Sequence, residues 1–267
     1  MVGILEPLFD KAFIHDSYAC RKGKGTHAAV DRCQHFARQY HYVLKADIQK
    51  FFPSMDHEVL KEVLERKIKD PDLLWLIHLI IDNSNQQEEI NNYFPGDDLF
   101  TPFRRRRGIP IGNQTSQFFS NVYLDPLDHF VKEKLRFKGY VRYVDDFLLF
   151  ANNKTELRDA RNLIGKFLYD YRLRLHSKKN TISPVNNGIR FLGYRVFPSH
   201  RLLPKENVRR FLRRVKQMQK EYSAGVTSFL SIQQKLMSWV GHALNANTCE
   251  LRKRLFSKIS FQRAVRN

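Results

Sequence analysis

The chain has 267 residues, enough for a substantial core and for one domain with subdomains or two small ones, and its 42% hydrophobic and 13% aromatic content excludes a disordered tail. Its 46 Lys and Arg against 27 Asp and Glu leave a net charge of +19, the balance of a folded protein that meets a polyanion, nucleic acid before an anionic membrane. Cys20, Cys33 and Cys249 form no CxxC pair, so neither a disulfide framework nor a zinc site is indicated, and no apolar run approaches the roughly 18 residues of a membrane-spanning helix, so a cytoplasmic protein is expected.

Repeats and low-complexity tracts are absent, which removes solenoids. YVLKAD, residues 42–47, reads as a strand ending in Asp47, and the following FFPSMDHEVLKEVLERKI starts a helix near Ser54 or Asp56. Residues 72–81, DLLWLIHLII, are apolar all round and are expected to be buried. A polar loop insertion over 82–107 ends in FRRRRG, whose arginines serve either a solvated loop or phosphate contacts. From Gly112 to Phe130 a loop leads into a helix that buries Phe118, Phe119, Val122 and Leu127.

GYVRYVDDFLLF, residues 139–150, reads as a hairpin, with Val141 and Tyr143 on one strand, Phe147 and Leu149 on the other, and Asp145 and Asp146 at the turn. Adjacent carboxylates repel and resist desolvation, so they mark either a solvated turn or a site compensated by a cation. A helix over about 155–172 follows, then LRLHSKKNTI and IRFLGYRVF as further strands. The order implies an α+β fold with an antiparallel or mixed sheet backed by helices. In the last 63 residues Val208, Phe211, Leu212 and Val215 fall at i, i+3, i+4, i+7 with Arg209, Arg210, Arg213, Arg214 and Lys216 on the remaining arc. That segment carries 14 Lys and Arg against 3 Asp and Glu, a clamp for a polyanionic backbone or a soluble helical tail.

If neighbouring strands bring Asp47, Asp145 and Asp146 together, the result is an oxygen-only site suited to two magnesium ions about 3.5–4 Å apart. Tyr143, Val144, Asp145 and Asp146 form the YxDD hairpin of the reverse transcriptases, which the chain resembles over roughly residues 18–200. ADIQKFF is similar to that family's first metal-binding strand, GIPIGNQTSQFFSN to its template-and-nucleotide loop, LRLHSKKNTI to its next strand and FLGY, residues 191–194, to its primer grip. Ser116, Gln117, Ile111 before Gly112, and FLGYRVFPSHRLLPKENVRRF look most like the enzymes of diversity-generating retroelements, where most relatives show QGxxxSP.

The resemblance implies a right-hand polymerase with partial fingers over 1–40, a palm over 41–200 and a basic helical thumb over 201–267. Asp47, Asp145 and Asp146, with the Ile48 carbonyl, would hold two Mg2+ ions. Phe51 and Phe52 would line the nucleotide, Phe52 as the gate against a ribose 2′-hydroxyl or as an ordinary core aromatic. Arg21, Lys22 and Lys24 would grip the triphosphate or form a solvated basic loop, and Lys179 would protonate pyrophosphate or lie idle on the surface. Ile111, Gly112 and Gln117 would form the nucleotide loop, Ile111 either loosening the base pair or packing under the site. Phe191, Leu192, Gly193 and Tyr194 would hold the primer terminus, and Arg209, Arg210, Arg213 and Arg214 the duplex. The resemblance further implies an RNA template with a DNA or RNA primer, dNTPs, a small basic accessory protein, no membrane, and a bacterial or phage origin. The family has a further fingers segment before IHDSYACRKGKG, so either the start is truncated or the fingers are minimal. The competing readings are an intron, retron or defence-type reverse transcriptase, and an inactive polymerase-like RNA-binding module.

Overall fold

In the computed structural model, residues 2–84, 90 and 92–263 are described, and they divide into two compact units, Met1–Pro184 and Val185–Asn267. In the first unit, α1 (Val2–Asp10) buries Val2, Leu5 and Phe9, and α2 (Thr26–Gln39) buries Ala29, Val30, Cys33 and Phe36, both at helical spacing. Strand β1 (Tyr42–Asp47) leads through a short helix α3 (Phe51–Ser54) to α4 (His57–Glu65). Asp56 caps α4, its Oδ1 accepting the Glu58 and Val59 N–H groups at 3.0 and 3.1 Å. Asp70 and Pro71 start α5 (Pro71–Asp82) in the same manner. A short α6 (Thr101–Arg104) precedes α7 (Gln114–His129), which continues into a wide π turn over Phe130–Lys134. The hairpin β2 (Gly139–Tyr143) and β3 (Asp146–Ala151), then α8 (Lys154–Asp170) and β4 (Thr181–Pro184), complete the unit.

The sheet order is β2-β3-β1-β4, antiparallel throughout. Side-chain alternation puts Leu44, Ala46, Phe147 and Leu149 into the main core with residues of α4, α7 and α8. Phe150 on the opposite face packs near Phe36 of α2, ring centroids 5.6 Å apart. Both faces of the hairpin are therefore covered, and β3 is buried at every position after Asp146. α7 and α8 are held together by Phe130 stacked on Phe167 at 4.3 Å, with Tyr171 stacked beyond it.

Four expectations change. Helix α5 buries only Ile77 and Ile81, while Trp75 is 66% exposed and Leu76 and Leu79 are open too, because one stripe of the helix faces the core. Most of LRLHSKKNTI is irregular; Leu175 makes an isolated bridge with Ile48, and strand geometry starts only at Thr181. The arginine run is half internal: Arg105 pairs with Asp56 and Asp97 at 3.2 and 2.5 Å and buried Arg107 donates to the Pro102 carbonyl, while Arg104 and Arg106 stand exposed, Arg106 beside Asp82. Residues 85–89 and 91 of the expected loop insertion lie outside the described residues. The unit boundary falls after Pro184 rather than at residue 200, so the FLGY segment belongs with the helices that follow it.

In the second unit, strands β5 (Ile189–Phe191), β6 (Tyr194–Val196) and β7 (Arg201–Leu202) form a small antiparallel sheet. Helices α9 (Lys205–Ser223), α10 (Phe229–Leu244) and α11 (Cys249–Phe256) follow. Phe211, Val215, Met218 and Ile232 form their core, with Trp239 stacked on Phe211 at 3.8 Å.

Candidate active site

Strand register assembles the acidic residues. β1 pairs with β3 so that Asp47 lies opposite Asp146, and the Ile48 N–H donates to the Asp145 carbonyl at 3.3 Å. Backbone and side chain of the segment after α8 complete the frame: the His176 N–H donates to the Asp47 carbonyl at 2.8 Å, and Asn180 Oδ1 accepts the Asp47 N–H at 3.1 Å. Two ammonium groups face the carboxylates, Lys179 Nζ at 3.2 Å from Asp47 Oδ2 and Lys45 Nζ at 3.0 Å from Asp146 Oδ2.

The electrostatics are those of a site that wants a cation. Burial, reinforced by the charge of Asp47, raises Asp145 above the ordinary carboxylate value. Burial lifts Asp146 from 3.8 to about 6, against the pull of Lys45 and with a further push from Asp47 and Asp145. Asp146 Oδ1 is buried and has no hydrogen-bond partner. Among the described residues no cluster of three or more His, Cys, Asp or Glu side chains has the arrangement of a formed metal site. The donor set nonetheless fits a hard divalent cation: only oxygens, like charges brought together by register, and one buried oxygen unsatisfied by protein.

The turn between β2 and β3 is Val144–Asp145, with Val144 at φ 56. Positive φ at the first of two turn positions is the II′ pattern that glycine favours, and a β-branched residue there costs on the order of 1–3 kcal/mol.

The nucleotide-loop residues are tied to the segment after Asp47. The Ile109 N–H donates to the Phe52 carbonyl at 3.1 Å and the Gly108 N–H to the Met55 carbonyl at 2.8 Å. Phe51 is buried, whereas Phe52 is half-buried at the edge of the core. Ile111 is 66% exposed, so it does not pack under the site, and Gly112 beside it turns at φ 104, where a side chain would strain. Gln117 is exposed on the first turns of α7.

Arg21 leaves the triphosphate group. Its side chain is only 6% exposed, with Nε 2.5 Å from Asp10 and Nη1 donating to the Ile14 and Ser17 carbonyls at 2.6 and 2.9 Å. Lys24 donates to the His15 carbonyl at 3.0 Å and lies over the Tyr18 ring, while Lys22 is exposed.

In the second unit the FLGY residues separate by role. Phe191 and Tyr194 are buried, the Tyr194 hydroxyl donating to the His242 carbonyl at 2.9 Å, so neither side chain is presented as a grip. Leu192 and Gly193 form the tip at φ 47 and 86, with Asn207 donating to the Gly193 carbonyl at 3.1 Å. Arg209, Arg210, Arg213 and Arg214 all stand exposed on α9.

The sequence model of the family described as "Reverse transcriptase (RNA-dependent DNA polymerase)" matches residues 1–196. The chain belongs to the reverse transcriptase family. Among curated sequences, it is 25% identical over 131 residues to the "Putative COX1/OXI3 intron 2 protein" of Saccharomyces cerevisiae, covering 49% of this chain and 14% of that one. It is 23% identical over 235 residues to protein YkfC of Escherichia coli, 73% and 58% of the two chains. It is 32% identical over 90 residues to protein P of duck hepatitis B virus, 34% and 11% of the two. The chain thus spans less than two thirds of each of these relatives. Its fold is the right-hand polymerase fold: a Candida tropicalis telomerase truncated from its C-terminal domain superposes with TM-score 0.55 at 16% identity over 76% of this chain and 44% of the other. The C. tropicalis telomerase in complex with a telomeric RNA fragment gives 0.57 at 14% identity over 98% and 47%.

Sequence reading of this family member passes over Lys45 and Asn180. Lys45 carries a usable signal, since it sits two residues before Asp47 in a strand and so shares its face. Asn180 carries none, because its contact with Asp47 spans 133 positions across a loop.

Proposed function

We propose that the chain synthesises DNA on an RNA template, with Asp47, Asp145 and Asp146 as the catalytic acids. The observation that carries this reading is the register that sets Asp47 opposite Asp146 beside Asp145, with a buried carboxylate oxygen left unsatisfied. Two Mg2+ ions, held by these acids and the Ile48 carbonyl, would supply charge to the attacking and leaving oxygens of phosphoryl transfer.

The remaining work falls to this chain's residues. Lys179, 56% exposed beside Asp47, would give a proton to departing pyrophosphate. Half-buried Phe52 would be the gate against a ribose 2′-hydroxyl, which favours dNTPs. Lys22 is the exposed cation of its loop for the triphosphate, while Lys24 is partly engaged. Duplex of the RNA template with a DNA or RNA primer would lie against the α9 arginines, bound through phosphates. The fingers, palm and thumb then correspond to the helices before β1, the four-stranded sheet with its helices, and the second unit.

Within the family we assign the chain to the error-prone, diversity-generating type, a bacterial or phage cytoplasmic enzyme working with a small basic accessory protein. Support comes from Ile111, whose exposed aliphatic side chain offers volume and no hydrogen bond where most relatives have Gln. The likeness to an intron protein of Saccharomyces cerevisiae favours an intron-type enzyme as the second reading.

Primer extension on a mixed RNA template with Mg2+, followed by sequencing of the cDNA, tests both levels. The expected result is extension with errors concentrated at template adenine, lowered in Ile111→Gln. Template binding without extension would refute the polymerase reading, and an even error spectrum would refute the diversity-generating type and leave the intron, retron and defence types.

A further inference from the structure

A fully buried ion pair stands behind the catalytic turn. Arg142 on β2 and Asp128 on α7 both have 0% exposed side chains. Their contact is bidentate, with Nε donating to Oδ1 and Nη2 to Oδ2, each at 2.7 Å, and the Tyr140 hydroxyl also donates to Oδ1 at 2.7 Å. With Nε and Nη2 committed to Asp128, Nη1 is the nitrogen left to reach the turn. Arg142 Nη1 donates to the Val144 carbonyl at 3.1 Å and approaches Asn121 Oδ1 at 3.4 Å.

That carbonyl belongs to the residue held at φ 56, and its peptide bond leads directly into Asp145. A β-branched residue keeps such a conformation only where its surroundings over-determine it. The same arginine is fixed on its backbone, its N–H donating to the Asp16 carbonyl at 2.9 Å and its own carbonyl accepting from the Tyr18 N–H at 3.0 Å. Asn121 in turn donates to the Ala19 carbonyl at 2.8 Å. The pair therefore joins α7, the 16–19 segment and the acidic turn at one point.

Resting on the assignment of Asp145 to cation binding, we propose that Arg142, oriented by Asp128, is the positioning residue that fixes the Val144–Asp145 peptide and thereby the aim of the Asp145 carboxylate. Neither residue touches substrate. An arginine is required because one planar group must span two carboxylate oxygens and still reach a carbonyl, which an ammonium cannot do.

The test uses Mn2+ alone as probe, titrated into the full chain without nucleotide or template and followed by electron paramagnetic resonance. Breaking one partner would leave a buried charge, so the main variant removes the whole polar group: Arg142→Met, Asp128→Leu and Tyr140→Phe together, an exchange cores tolerate. Arg142→Lys, which keeps the charge, is the second variant. Circular dichroism establishes that each is folded at the titration temperature. The expected result is a Mn2+ dissociation constant raised roughly 10- to 100-fold in both, the range of losses when support behind a ligand is removed, with RNA binding unchanged. Parent-like Mn2+ affinity in either folded variant would overturn the proposal. Asp145→Asn belongs in the same series: if it leaves Mn2+ binding untouched, the assignment of Asp145 fails and this proposal with it, whereas loss there alone overturns only the positioning role.

Discussion

Replacing Asp146 by Asn is expected to stabilise the metal-free protein while abolishing its chemistry. Burial holds the Asp146 carboxyl at about 6 against an ordinary 3.8. Between those values the folded chain keeps a proton that the unfolded chain has released, so stability falls as pH rises through that window and stays at the lower level above it. At about 1.4 kcal/mol per pH unit, the ionised carboxylate costs folding about 3 kcal/mol at pH 8. Asn mimics the protonated form and recovers that amount, and the Lys45 ammonium it leaves behind is 27% exposed and can turn to water. For a unit of this size the gain corresponds to roughly 6–12 °C in melting temperature. Thermal unfolding of parent and variant in EDTA at pH 8 and pH 4 is the assay, the gain shrinking below about 1 kcal/mol at the lower pH. An equal or lower melting temperature of the variant at pH 8, or an undiminished gain at pH 4, would refute the electrostatic account. Adding Mg2+ should narrow the difference, since a cation that binds only the folded parent stabilises it by mass action.

Asp47→Asn and Asp145→Asn should each end primer extension while leaving RNA affinity within about twofold, because they remove cation ligands and none of the exposed basic surface; extension by both would dismiss the site. Changing Arg209, Arg210, Arg213 and Arg214 to Gln should weaken duplex binding and flatten its dependence on log salt by about 3 to 4, if each neutralises one phosphate. A slope equal to the parent's would mean those arginines face only solvent. Asp56→Ala should lower stability by about 2 kcal/mol, since it loses the α4 cap and one partner of Arg105. Asp56→Asn should cost less because it keeps the cap, and equal losses measured by urea unfolding would contradict that division.

The parts of this fold that can be read from the chain are those in which local pattern and burial agree. YVLKAD, the hairpin around Asp145 and the α9 stripe each show one periodicity and form the elements it implies. Helix α5 shows the limit of the method. Its composition is apolar on every side, and only tertiary packing selects the Ile77 and Ile81 stripe for the core. The Arg142–Asp128 pair is hidden for a related reason, since an arginine within a short strand carries no mark that it is wholly buried.

The segment 173–180 fails as a strand for a reason that belongs to the site. Leu173 and Leu175 alternate with polar neighbours as in a strand, yet a regular ladder would commit the backbone to one neighbour and place its side chains alternately on two faces. Instead Arg172 turns at φ 55, Leu175 makes one bridge to Ile48, and the chain then wraps around the end of β1. Three of its residues converge on Asp47: His176 through its N–H, Lys179 through its ammonium and Asn180 through its amide oxygen. Regular structure is given up where one carboxylate needs its backbone N–H, its carbonyl and its charge all engaged from the same side. The misread strand and the unforeseen role of Asn180 are thus one event, the local preference yielding to the positioning of Asp47.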